Sequence, residues 1–118
     1  MKQSRTRYRK IIVYADYFKN FRKTINKEAL KKIYEVMTYI MTEETIPSKF
    51  FKSITGYHGL FEIRVEYESN IYRIFCCIDK GNLIVLFNGY TKKSQKAPTN
   101  ELEKANRIMK EYFQSKTN

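Results

Sequence analysis

The chain has 118 residues, 42% of them hydrophobic, which is one domain's worth and rules out a multidomain enzyme. Lysine and arginine number 23 against 12 acids, a formal charge of +11, so nucleic acid, an anionic membrane, an acidic partner and plain solubility compete to explain it. Membrane is the weakest of these: no apolar run approaches the ~18 residues of a spanning helix, and the basic N-terminus is not followed by an apolar signal core.

In chain order, Lys2, Arg5, Arg7, Arg9 and Lys10 come before any acid. Residues 1–7 read as a mobile basic arm, and the rest of 1–118 as a single domain. Ile11 to Tyr14 is a first strand. From Asp16 to about Glu43 the pattern is helical. A short segment holds Tyr17, Phe18 and Phe21, and then Leu30, Ile33, Met37 and Ile40 form an apolar stripe with Asn26 as its N-cap. Together they predict a helical hairpin. Pro47 ends it, and Ser48 to Gly59 reads as loop.

From Leu60 the period falls to two, with Phe61, Ile63, Val65 and Tyr67 on one face and Glu62, Arg64, Glu66 and Glu68 on the other. Turn residues at Glu68–Asn70 and Asp79–Asn82 divide this strand from Ile71–Ile78 and from the apolar run Leu83–Phe87. The three form an antiparallel meander with the last as its central spine. Pro98 opens a final helix, capped by Thr99 or Asn100 with Glu103 completing a capping box, and Leu102, Ala105, Met109 and Tyr112 as its buried stripe. The fold class is α+β, a small antiparallel sheet with an N-terminal helical hairpin and a C-terminal helix.

Several chemistries lack their residues. Cys76 and Cys77 are adjacent and point to opposite faces of a strand, so they do not bridge and read as reduced packing residues. His58 is the only histidine, too few for a zinc site, and the four glycines form no cofactor loop. No cofactor and no metal are expected. Arg73, mid-strand on the face of Phe75 and Cys77, either meets a sheet carboxylate such as Glu62 or Glu66, or presents its planar fork to a phosphate. Arg64 has the same two readings, with Glu62 and Glu66 beside it. Gly89 to Lys96 reads as a loop at a strand end, where Lys92, Lys93 and Lys96 with Tyr90 suit a phosphodiester backbone and a stacked base, or are simply a solvated turn. His58 is the one residue of the type that serves most often as a general acid or base, although most loop histidines are only solvated. Lys52 is a further candidate contact.

An ordered set of motifs then resembles a known family: Phe50-Phe51-Lys52, Gly59-Leu60-Phe61-Glu62-Ile63-Arg64, Tyr72-Arg73-Ile74, the run from Leu86 through Lys92-Lys93 to Pro98, and a helix with Ala105. Together they resemble the HigB toxins of the phage-derived Gp49-like family, within the RelE/ParE toxin superfamily. The resemblance implies a RelE-like fold with helices on one side of the sheet and a concave basic face left open. It also implies a cytoplasmic, ribosome-dependent mRNA endonuclease (an mRNA interferase), whose partners are a HigA-like helix-turn-helix antitoxin, the ribosome and mRNA. Cleavage would be metal-independent, by attack of the RNA's own 2′-hydroxyl. Position by position, the resemblance places Arg73 and Lys93 at the scissile phosphate and Arg64 and Lys92 beside it. It leaves Lys52, His58, Tyr90 and Lys96 as RNA contacts. The family carries Asp or Asn where His58 stands, and the chain lacks the C-terminal tyrosine of RelE, so the general base is not inherited. Two other classes remain open: a ParE-like gyrase inhibitor, and a phage-derived module that binds nucleic acid or antitoxin without catalysis.

Overall fold

The computed structural model describes residues 7–92 and 98–117. Its elements are β1 (Lys10–Val13), α1 (Tyr17–Arg22), α2 (Lys27–Thr42), β2 (Phe51–Ser53), β3 (Phe61–Tyr67), β4 (Asn70–Asp79), β5 (Leu83–Lys92) and α3 (Thr99–Ser115). One sheet contains every strand in the order β1-β5-β4-β3-β2. The β3-β4-β5 meander is antiparallel as the period-two pattern predicts, and β1 joins β5 in parallel. Among the described residues no helix is long and apolar enough to cross a membrane.

Helices cover both faces rather than one. Against the first face, Phe18 and Phe21 of α1 and Ile33, Val36, Met37 and Ile40 of α2 bury Ile63, Val65, Ile74, Cys76, Ile84 and Leu86. Against the second, Ala105, Ile108, Met109 and Tyr112 of α3 bury Leu60, Phe75, Cys77, Val85 and Phe87. The alternation along β4 puts Cys76 in one core and Cys77 in the other, as a regular strand demands. Burial pushes both thiols up, Cys77 to about 12, which makes them packing groups and not nucleophiles.

Four further expectations are corrected. The stretch Ser48–Gly59 is not all loop, because Phe51–Ser53 pairs with Phe61–Ile63 as β2. A three-residue strand is too short for its period to show. The central strand is β4, and β5 is covered on both faces but stands between β1 and β4. The N-cap of α3 is Pro98, with no side-chain cap, because Thr99 and Asn100 already lie inside the helix. Finally, β5 continues to Lys92, so Gly89–Lys92 is strand and not loop. By contrast, Asn26 does cap α2, its side chain accepting from the Ala29 N–H at 2.8 Å.

The ends of α2 and α3 are fastened by charge. Arg9 donates to the carbonyls of Ile40 (3.0 Å), Glu43 (2.8 Å) and Glu44 (2.8 Å), so a cation closes the negative end of α2 and ties it to β1. At the far end of α3, Asp79 accepts from the Tyr112 hydroxyl at 2.7 Å and from Lys116. The Lys116 bond, then the Tyr112 bond, holds the Asp79 carboxyl down at about 2. The clamp's stability is therefore full above the ordinary carboxylate value of 3.8 and is lost as pH falls toward 2. Arg9→Ala should cost about 2 kcal/mol, since it removes charge-assisted bonds to three helix-end carbonyls; chemical denaturation measures it.

Candidate functional site

The site depends on a one-residue irregularity. Ile74 faces Gly89 and Cys76 faces Leu86, so β5 takes three steps where β4 takes two, and the extra residue falls at Phe87–Asn88 opposite Phe75. Val85 and Phe87 face α3. Without the bulge, the next residues on that face would be Gly89 and Thr91. With it they are Tyr90, opposite Arg73, and Lys92, opposite Ile71. Gly89 turns to the other face, where a Cβ would lie 2.7 Å from the Phe21 ring and 2.8 Å from the Arg73 carbonyl oxygen, so no larger residue fits without displacement. Asn88 is buried at the bulge, and its amide nitrogen donates at 3.3 Å to both the backbone carbonyl and the carboxylate of Glu101, which fixes the first turn of α3.

The part of this face that α3 leaves open carries charge. Arg64, Arg73 and Tyr90 form one row across β3, β4 and β5, and Glu66, Ile71 and Lys92 form the next. Arg73 donates to both oxygens of Glu62, at 2.8 and 2.7 Å, and Glu62 is only 2% exposed. Arg64 pairs with Glu66 at 2.6 Å and keeps 23% of its side chain exposed. Lys92 is 6% exposed, and its Nζ has no hydrogen-bond partner among the described residues. Burial pushes its pKa below 10.5, and the positive charges of Arg73 and Arg64 add to that while Glu62 opposes it. Tyr90 stacks on Phe75 with ring centroids 5.9 Å apart, and its buried hydroxyl also has no partner among the described residues. Burial pushes this phenol up to about 12; Arg73 acts the other way, while Glu62 and Glu101 add to the rise. A phenol in that state is a hydrogen-bond donor at neutral pH.

The profile of the family described as phage derived protein Gp49-like (DUF891) matches residues 3–110. The chain belongs to the Gp49-like family. That family is toxin–antitoxin-related, and the chain's α+β fold, a mostly antiparallel five-stranded sheet with helices toward both ends of the chain, is compatible with a RelE-like one. A search of curated proteins finds no match.

Of the residues proposed as a Gp49-like site, the structure brings Arg64, Arg73, Tyr90 and Lys92 onto one face. Arg73 meets Glu62, the carboxylate reading, and Lys92 is buried in a strand instead of solvated in a loop. Lys52 is exposed on β2 directly opposite Glu62, at the rim of the same face. Tyr90 does not present a free ring, since Phe75 covers one side of it. His58 is exposed in the turn before β3, whose neighbours Tyr57 and Leu60 pack with α3. The row of Arg64 and Arg73 lies about 10 Å further along the strand from its start at Phe61, so His58 is not part of the cluster. Lys93 and Lys96 lie outside the described residues. Among the described residues no group of histidine, cysteine, aspartate and glutamate is placed to hold a metal.

The cluster is costly to fold. At neutral pH Lys92 is charged in the unfolded chain, and burying that charge opposes folding; as pH rises toward 10.5 the folded protein loses the proton first and the cost falls. Lys92→Met should therefore stabilise the protein at pH 7, by about 1 kcal/mol or roughly 3–6 °C in Tm. The gain should shrink as the pH of the melt is raised toward 10.

Proposed function

We propose that this Gp49-like chain is a toxin of the HigB type, an endoribonuclease that cuts mRNA on the ribosome and is held inactive by a HigA-like helix-turn-helix antitoxin. The observation that carries the reading is a buried lysine with a lowered pKa and no bonded partner among the described residues, one strand row from an arginine on a rigid sheet. Burial makes the neutral form of such a lysine easier to reach than that of an exposed one, which is the direction a proton acceptor needs. In the proposed reaction, Lys92 Nζ takes the proton of the 2′-hydroxyl as its oxygen bonds to phosphorus. The bond from phosphorus to the 5′-oxygen breaks, leaving a 2′,3′-cyclic phosphate and a 5′-hydroxyl whose proton comes from solvent. Arg73 stabilises the extra negative charge of the pentacoordinate phosphorus, and the protonated Tyr90 hydroxyl donates to a phosphate oxygen. Arg64 and Lys52 hold the flanking backbone, and Lys93, next in sequence to Lys92, supplies a further cation. The ribosome contributes strand geometry, which relieves the protein of providing a complete acid–base set.

One observation favours the alternative, a module that binds without cutting. Arg73 is already neutralised by Glu62, so a phosphate must compete with a buried carboxylate for it.

The test uses variants that keep the fold. Arg73→Ala alone would leave Glu62 buried without its cation, so Arg73→Gln is paired with Glu62→Gln. Each of Lys92→Met and the glutamine pair should lower translation-dependent cleavage, read as new 5′ ends on a reporter mRNA, by about a hundredfold or more. Unchanged cleavage in Lys92→Met contradicts the mechanism. Growth arrest by the wild type with intact mRNA assigns the chain to binding or gyrase inhibition.

A further inference from the structure

A second cationic recess lies where the sheet edge meets α2. β2 covers β3 only over Phe61–Ile63, with one more bond from the Arg64 N–H to the Phe50 carbonyl at 2.9 Å. Beyond that point the outer edge of β3 has no strand partner among the described residues. A recess of about 270 Å³ opens there, walled by Lys32 and Val36 of α2, Lys49 and Phe50 ahead of β2, and Arg64 with its neighbours on β3. Three cations line it against one acid, Glu66, which is bound to Arg64. Lys32 and Lys49 are exposed, and neither makes an ion pair among the described residues. The Lys49 ammonium sits 5.0 Å from the centre of the Phe50 ring, a cation–π contact that holds it at the mouth without neutralising it.

Arg64 joins this recess to the cluster, because it stands directly opposite Arg73, about 5 Å away at the Cα level. Cationic side chains therefore extend from Lys92 through Arg73 and Arg64, each of these two paired with a carboxylate, to Lys49 and Lys32 at the edge of β3. The apolar wall of Val36, Val65 and Phe50 suits a sugar, and the cations above it suit the phosphate attached to that sugar.

We propose that this recess is a second phosphodiester site, which seats the backbone of the RNA strand next to the scissile phosphate and sets the direction in which the strand leaves the sheet. The proposal rests on the nuclease reading of the Arg73 and Lys92 face. The same chemistry could come from ribosomal RNA, and the experiment separates the two sources.

The probe is a short single-stranded 2′-O-methyl RNA oligonucleotide, which lacks the nucleophile and stays intact. Its binding is followed by fluorescence anisotropy over a range of KCl concentrations, with the wild type, the double variant Lys32→Gln/Lys49→Gln, and the control Lys80→Gln/Lys110→Gln, which removes the same charge from exposed positions elsewhere. The proposal expects the recess variant to melt with the wild type, to bind roughly fivefold more weakly at low salt, and to lose about 0.7 from its salt slope, the value of one phosphate on a single strand. The control should keep the wild-type slope. Equal losses in the two double variants overturn the site, because net charge alone would then explain them. A loss confined to co-sedimentation with purified small ribosomal subunits, with oligonucleotide binding intact, overturns the substrate-strand assignment in favour of ribosomal RNA. Mutating Arg73 with Glu62 reports on the catalytic reading separately: lost cleavage there, with the recess variant behaving as wild type, removes this proposal and leaves that reading standing.

Discussion

Ile74 faces Gly89 and Cys76 faces Leu86, and the extra residue this leaves in β5 decides which side chains share a face with Arg73. Side chains alternate with a period of two, so one inserted residue exchanges everything after it between the faces. Here the exchange sends Gly89 toward Phe21, where only hydrogen fits, and brings Tyr90 and Lys92 beside Arg73. Asn88 then uses the displaced backbone to hold the first turn of α3 through Glu101. Packing on one face, the attachment of α3, and the charge cluster all follow from one irregularity in register.

The resulting face combines groups that do not favour one another. Glu62 and Arg73 satisfy each other in a nearly dry setting, whereas Lys92 is buried beside two arginines with no bonded counter-ion among the described residues. An apolar residue in place of Lys92 would fold more easily, whereas removing one member of the Glu62–Arg73 pair would strand the other. A lysine kept there against its own solvation is poised to change protonation or to receive an anion. That tension, more than the total charge of +11, distinguishes this face from the exposed lysines of α2 and α3.

Much of the architecture was legible because it rests on local periodicity and capping. The meander follows from alternation, α2 from its stripe and from Asn26, and the opposed cysteines from adjacency on a strand. Even the Arg73 partner could be anticipated, since Glu62 lies on the same face of the neighbouring strand. The bulge had no such signal: Gly89 after an apolar run reads as a strand end, so Tyr90 and Lys92 passed for loop residues. Alternation put Glu62 on the charged face of β3, and only tertiary packing reveals that it is buried there. Arg9, read as part of a basic terminus, closes a helix more than thirty positions away, a contact that no local pattern announces. Lys32 and Lys49 likewise join Arg64 only through the fold.

The central claim is that Lys92 is held in a state unlike that of the other lysines. The direct measurement is a pH titration of the lysine side-chain NMR signals in isotope-labelled protein, with Lys92→Arg used to assign its resonance. The account predicts that the Lys92 midpoint lies below the ordinary lysine value of 10.5, chiefly because its ammonium is buried, and that exposing it by trimming the side chains around it raises the midpoint. A Lys92 midpoint at or above 10.5 would contradict it.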